Sequence, residues 1–249
     1  MEDSVQPAVT LILPAYNEVR AIAPAIGEAA AYFRARACPC EIIVAADGTD
    51  GTRERARECA REDPAIRVIG EPARRGKGRG IREAVAIASG AVIGFADADN
   101  KVPIGEYDKL APWLNEGYDV VIGSRAIERS LVERRQPFYR RAGGRGFHYV
   151  MQTIVGLPGI SDTQCGFKFF RGDVARDLFR RQQIDGYMFD VEILALAQRL
   201  GYRIREVPIR WRDDADSRLQ LVRGNLRNVV DLFRIRAAVG RIPKSANTK

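Results

Sequence analysis

The chain has 249 residues, enough for one α/β core, with an ordinary 46% hydrophobic content and a net charge of +8. The positive balance points to an anionic partner: a phosphate ester, a nucleic acid or an acidic membrane surface. No run approaches the ~18 apolar residues of a bilayer span, and no charged-then-apolar leader opens the sequence. Cys38, Cys40, Cys59 and Cys165 make neither a CxxC pair nor a zinc framework, so a reduced, cytoplasmic setting is expected.

Residues 9–13 (VTLIL) read as an apolar strand, followed by the loop PAYNE and an alanine-rich helix over 23–37. Residues 41–45 form a second strand that ends in ADGTDGT, where Asp50 or Thr52 can cap a helix running to Glu62. A third strand over 66–69 leads through a basic, glycine-rich loop into a helix that ends near Ser89 and Gly90. Residues 91–100 (AVIGFADADN) are a short apolar run that stops at two carboxylates, Asp97 and Asp99. A helix over 105–115 and a fifth strand in YDVVIGS complete the first half. This alternation predicts a mostly parallel sheet covered by helices on both faces.

The second half is less regular. Residues 125–145 are polar and arginine-rich, and read as a loop. A helix over 147–155, a strand over 167–171, a helix from Val174, a helix over 190–200 and a strand over 203–211 follow. From Leu219, the apolar positions Val222, Leu226, Val229, Val230, Phe233 and Ala237 recur at helical spacing, predicting a basic amphipathic helix over 217–240. Such a stripe either docks on the domain or lies in a membrane interface.

Four loops follow the first four strands, and in a doubly wound sheet they share one crevice. Asp97 and Asp99 are separated by one small residue, and two like charges so close call for a cation between them. A hard divalent ion, Mg²⁺ or Mn²⁺, suits their oxygens and shares them with phosphates. Lys77 between two glycines suits a diphosphate, because the glycines let the backbone approach closely. Tyr16, Glu18 and Asp47 suit a base and ribose. Each loop alone has a duller reading, as a strand-end aromatic, a turn residue or a solvated charge; their joint position favours a nucleotide.

PAYNE, ADGTDGT, RRGKGRG and ADADN resemble, in that order, the nucleotide-binding motifs of family 2 glycosyltransferases. IGSRA, SDTQCGFKFF, FDVEILALA and IREVPIRW look like the branch that glucosylates dolichyl phosphate, with polyprenyl-phosphate mannosyltransferases as close relatives. The resemblance implies a GT-A fold, α/β with a mostly parallel sheet, in a single domain over 1–249. Residues 9–124 would bind the nucleotide sugar, 125–216 the acceptor, and 217–240 would form the C-terminal helix. It implies inverting, metal-dependent transfer of glucose from UDP-glucose to a polyprenyl phosphate. The alternatives are mannosyl transfer from GDP-mannose and transfer to a hydroxyl acceptor.

By the same resemblance, Pro14, Tyr16, Glu18, Asp47, Lys77, Asp97 and Ala98 contact the nucleotide sugar, and Asp97 and Asp99 hold the metal. The family's second strand usually ends in two aspartates; here the loop is one residue shorter, and Asp47 takes the second aspartate's place. Asn100 stands where relatives often carry glycine or glutamine. Asp99, Arg125 and Asp162 are the catalytic candidates. A lipid monophosphate has a second pKa near ~6 and is already largely a dianion, so it needs arginines, here Arg125 and Arg145, more than a base. A hydroxyl acceptor would need a carboxylate base, Asp162 or Asp190. Gln164 and Lys168 are further candidates for the sugar or acceptor, while His148 and Cys165 read as structural. Nucleic acid is not an expected partner, since the acidic pair repels a phosphate backbone. A bilayer-borne acceptor implies a peripheral position at the cytoplasmic membrane face.

Overall fold

The apolar runs of the first half each become a strand in the computed structural model, which describes residues 8–127, 131–132, 152–212 and 223–243. Strands β1 (Val9–Tyr16), β2 (Cys40–Asp47), β3 (Ile66–Ile69) and β4 (Val92–Ala96) are mutually parallel, in the spatial order β3-β2-β1-β4. Helices α1 (Ile22–Ala35), α2 (Thr52–Glu62) and α3 (Lys77–Ile87) connect them. All four strands therefore end at the same edge of the sheet. Helix α4 (Tyr107–Asn115), entered through a 3₁₀ turn at Ile104–Glu106, leads to β5 (Val120–Ser124).

The second half contributes β6 (Leu131–Val132), β7 (Phe167–Arg171), α5 (Gly172–Arg181), α6 (Phe189–Leu200), β8 (Ile204–Pro208), β9 (Arg210–Trp211) and α7 (Arg223–Gly240). The full sheet runs β3-β2-β1-β4-β7-β5-β8, while β6 and β9 pair separately. β7 lies antiparallel between β4 and β5. An apolar run marks a buried strand but carries no direction, so the sequence does not announce this reversal. Its consequence is local: Phe167 pairs with Ala96, so the segment before β7 arrives at the edge where β4 ends.

Alternating side chains fill the two faces. Leu11, Leu13, Val44, Phe167 and Phe169 pack with α1 and α4, while Ile12, Ile43, Phe95, Ile122 and Phe170 pack with α3, α5 and α6. Helix α6 is buried from Phe189 through Ala197, which explains a sequence with no clear polar face. The predicted strand over 203–211 is interrupted at Ile209, whose N–H donates to Ser124 O (3.2 Å) before β9 turns to β6. Of the predicted helix over 147–155, residues 147–151 lie outside the described residues, and Gln152–Gly156 form a single π-helical turn.

Neither Asp50 nor Thr52 caps α2 as expected: Gly51 is the N-cap residue at φ 94°, and Asp50, one residue before it, accepts the Thr52 N–H at Oδ1 (3.0 Å). Over residues 227–240 of α7, whose burial is described, the buried residues are Leu232 and Ile235, with Asp231 beside them. Of the stripe read from spacing, Val229, Val230, Phe233 and Ala237 are exposed instead, while Leu219 and Val222 lie outside the described residues. Among the described residues no helix is long and apolar enough to cross a membrane.

Candidate active site

Parallel register brings the first loops together before any side chain is considered. Tyr16 pairs with Asp47 at the ends of β1 and β2. Pro14 lies beyond the pairing of β1 with β4, which covers Val9 to Ile12, so its missing N–H leaves that ladder intact. The Glu18 N–H donates to Thr52 Oγ1 (2.8 Å) and the Val19 N–H to Asp50 Oδ2 (3.1 Å), tying the first loop to the second. Asp47 accepts the N–H groups of Glu71 (3.2 Å) and Arg75 (2.8 Å), tying the second to the third. Both Asp47 oxygens thus hold the 71–75 loop. The exposed Tyr16 ring lies under the Arg74 guanidinium (4.3 Å), which in turn donates to Tyr187 Oη (3.2 Å).

The acidic pair sits in a turn rather than on the strand, since β4 stops at Ala96 and the Asn100 N–H reaches back to Asp97 O (3.3 Å). Asn100 adopts φ 53°, a left-handed conformation open to glycine and asparagine, which accounts for the residue found there. Ala98 between the carboxylates is buried. Each carboxylate draws its own ammonium: Lys77 Nζ lies 2.6 Å from Asp97 Oδ1, and Lys101 Nζ 3.1 Å from Asp99 Oδ2. Burial works against the Lys77 charge, but Asp97 and Asp190 outweigh it and hold that ammonium above its ordinary range. Gly76 lets this happen: at φ 115° it passes so close to Asp185 O that a side chain would collide.

Asp97 also depends on β7. Its N–H donates to Gly166 O (3.0 Å), and a Cβ at Gly166 would overlap the Asp97 carboxylate. The side chains of Asp97 and Asp99 are 43% and 35% exposed, so their oxygens are open to a ligand. Two carboxylates that already attract cations are a hard-oxygen donor set suited to Mg²⁺ or Mn²⁺. No group of three or more metal-ligating side chains occurs among the described residues, so phosphate and water oxygens would complete the shell.

Arg125, at the end of β5, faces this edge and makes a forked pair with Asp162: Nε to Oδ2 (2.7 Å) and Nη2 to Oδ1 (2.8 Å). The Arg125 N–H adds a third bond to Oδ2 (2.9 Å). Glu206 on β8 anchors the aspartate from behind by accepting the Asp162 N–H (2.8 Å). Burial pushes the Asp162 carboxyl up, but Arg125 outweighs it and holds the group below the usual carboxylate range. Asp162 and Arg125 are therefore one unit, with both carboxylate oxygens engaged. Burial opposes the Arg125 charge, and Asp162, with a smaller pull from Asp97, more than restores it.

Two candidates from the acceptor half turn out to lie in the interior. Lys168 is fully buried and donates to Asp190 (2.6 Å) and Cys165 O (2.5 Å), so it supports the site from beneath and cannot touch a sugar. Asp190 is 4% exposed and out of reach as a base for an acceptor. Cys165 is a packed thiol, pushed up to about 12 by burial. Arg145 and His148 lie outside the described residues.

Residues 10–179 match glycosyl transferase family 2. The chain belongs to that family. Among curated relatives, a dolichyl-phosphate beta-glucosyltransferase of Trichomonas vaginalis is 35% identical over 255 residues, covering 96% of this chain and 75% of its own. The enzyme of the same name from Drosophila melanogaster is 34% identical, covering 94% and 76%. Among solved structures, glucosyl-3-phosphoglycerate synthase of Mycobacterium tuberculosis, crystallised with Mn²⁺, UDP and phosphoglyceric acid, superposes with a TM-score of 0.67 at 20% identity, covering 96% and 80%. Mannosyl-3-phosphoglycerate synthase of Rubrobacter xylanophilus gives 0.67 at 18% identity, covering 93% and 73%. The family 2 chain is thus a glycosyltransferase enzyme with a GT-A-like fold.

Four contributors to this family 2 site, Lys101, Arg74, Tyr187 and Gly166, are not legible as such in the sequence. Lys101 follows the acidic pair directly, but nothing in its spacing says that it folds back on Asp99. Arg74 and Tyr187 are 113 positions apart and meet only in three dimensions. Gly166 was legible as a residue beside Cys165, yet its closeness to Asp97 follows from the reversed strand.

Proposed function

We propose that this chain transfers glucose from UDP-glucose to a polyprenyl phosphate of the dolichyl class, with inversion, using Mg²⁺ or Mn²⁺ held by Asp97 and Asp99. The observation that carries the reading is the shared edge. There Tyr16 and Asp47 stand at the ends of parallel strands and Lys77 at the start of α3 beside the acidic pair, with Arg125 facing them from the end of β5. The names of the relatives support the glucosyl group and the lipid acceptor. The Mn²⁺ and UDP complex of the M. tuberculosis neighbour supports the cation and the nucleotide.

In this reading Pro14, Tyr16, Glu18 and Asp47 receive the base and ribose, and Ala98 packs beneath the sugar diphosphate. Bound at Asp97 and Asp99, the cation supplies positive charge to the departing diphosphate. Lys77 adds an ammonium from the start of α3, where backbone N–H groups also face anions. Arg125 orients the acceptor phosphate, its own guanidinium fixed by Asp162; Arg145 is the second acceptor arginine. The sugar C1–O bond breaks with its electron pair going to the diphosphate, while an acceptor phosphate oxygen forms the new C1–O bond from the opposite face. An α-linked donor gives a β-linked product. No proton moves, so a chain whose Asp162 is already paired needs no free base. The lipid acceptor sets the enzyme at the cytoplasmic face of a membrane.

Thermal unfolding tests the donor half of this reading. UDP-glucose with Mn²⁺ raises the melting midpoint of the wild type and leaves Asp99→Asn unshifted. Stabilisation by GDP-mannose in place of UDP-glucose would overturn the donor assignment.

A further inference from the structure

Helix α7 has two apolar faces. Leu232 and Ile235 are fully buried on the inner one, against α6 and the 152–156 turn. On the outer one Val229, Val230 and Phe233 are 37%, 46% and 57% exposed, and Ala237 is exposed one turn further on. At the helical repeat these four positions cover about 100° of arc, opposite the buried face. Exposed Arg227, Arg234 and Arg241 follow one border of that arc, and exposed Arg236 the other. The single acid between 223 and 243 is Asp231, which is buried and pairs with Arg234 (3.3 Å), leaving Arg227, Arg236 and Arg241 as the rim's cations with no acid on the helix to offset them. An ordinary surface helix turns charge to water and apolar residues to the core. This one turns apolar residues both ways and rims the outer set with cations alone.

We propose that the outer face of α7 is a docking surface for an anionic lipid bilayer. The apolar stripe enters the boundary between headgroups and acyl chains, and the flanking arginines meet lipid phosphates. The proposal deepens the reading of a lipid-borne acceptor by naming the surface that meets the lipid. Its position fits that use. Arg199, at the end of α6, donates to Ile242 O (2.6 Å) just past the end of α7, while Glu192, two turns back on α6, lies near enough to Asp231, three turns back on α7, for the two carboxylates to repel. The two helices therefore run the same way. Since α6 starts at Phe189 and Asp190, next to Lys77, the first turns of α7 lie toward the end of the molecule that holds the site.

Flotation of the full chain with vesicles tests this, with neither nucleotide nor polyprenyl phosphate present. Vesicles containing phosphatidylglycerol should retain the wild type about tenfold more strongly than phosphatidylcholine alone, and added salt should erode the difference. Val230→Ser with Phe233→Ser should lose about tenfold in partitioning to anionic vesicles. Arg227→Gln with Arg236→Gln should remove most of the preference for anionic lipid. All four positions are exposed, so unchanged melting midpoints certify that these variants fold. Equal partitioning of wild type and the serine variant would overturn the proposal. So would a concentration-dependent dimer in gel filtration that the serine variant abolishes, since a second copy would then be the occupant. Glucosyl transfer plays no part in the readout, so failure of the catalytic reading and failure of the docking surface remain separate results.

Discussion

Asp97 owes its position to a residue with no side chain. Its N–H is fixed by Gly166 O, and its carboxylate occupies the space a Cβ at Gly166 would take. Gly166→Ala therefore has to move the carboxylate while leaving both faces of the core intact. The expected outcome is a folded enzyme with an unchanged melting midpoint in the absence of ligand, a Mn²⁺-dependent shift by UDP that is lost, and kcat/KM lower by about 100-fold. Normal activity in Gly166→Ala would mean that Asp97 does not need its present place. At this scale the sequence was informative about residue type and silent about partners. The oxygen pair, the lysine between glycines and the GSR arginine were all legible as chemistry. That Asp97 takes Lys77, that Asp99 takes Lys101, and that Arg125 spends its fork on Asp162 depends on contacts across as many as 37 positions.

At the scale of elements, β7 is the piece that joins donor and acceptor halves. It lies between β4 and β5, which carry the acidic turn and Arg125 at their ends, and Lys168 secures it to α6 through Asp190. That ion pair is wholly interior, with Asp190 also attracting Lys77. Lys168→Met strands a buried carboxylate and should cost about 3–5 kcal/mol in denaturant unfolding, most of it recovered in Lys168→Met with Asp190→Leu. The stable double variant should still bind nucleotide more weakly, because Lys77 loses one of the two acids that hold its charge. An equally stable Lys168→Met would show that the pair contributes nothing to the seam. The alternation of the first half made the parallel strands readable, because each apolar run was bounded by a loop and a helical segment. The direction of β7 was not readable, because a buried run looks the same in either sense. Helical spacing likewise located the stripe on α7 but could not say that a second face, through Leu232 and Ile235, makes the contact with the domain.

For the whole molecule, the buried carboxylates set the response to acid. Burial raises the Glu41 carboxyl, but Thr10 and Ser89 outweigh it and hold it below its usual range; Asp162 behaves alike through Arg125. A carboxyl depressed in the folded state stabilises above its unfolded pKa, near ~4, and that contribution is lost as pH falls through the folded value. Asp190, raised by burial, has the opposite sign. At neutral pH Asp162→Asn should be less stable than wild type by about 2–3 kcal/mol, less than for a wholly interior pair because Arg125 is a third exposed. The gap should close below about pH 4, as the wild-type carboxyl takes up its proton. A gap that persists unchanged into acid would remove the charged pair as its cause.

The central claim is a glucosyl transfer from UDP-glucose to a lipid phosphate at the edge shared by Asp97, Asp99 and Arg125. Its most direct test supplies the full chain with UDP-glucose, Mn²⁺ and a short polyprenyl phosphate and determines the linkage of the product. The account predicts a β-glucosyl phosphate, no product after chelation, and a loss of about 100-fold or more in Asp99→Asn. Glucose delivered to a hydroxyl acceptor with the polyprenyl phosphate left untouched would contradict it, as would an α-linked product.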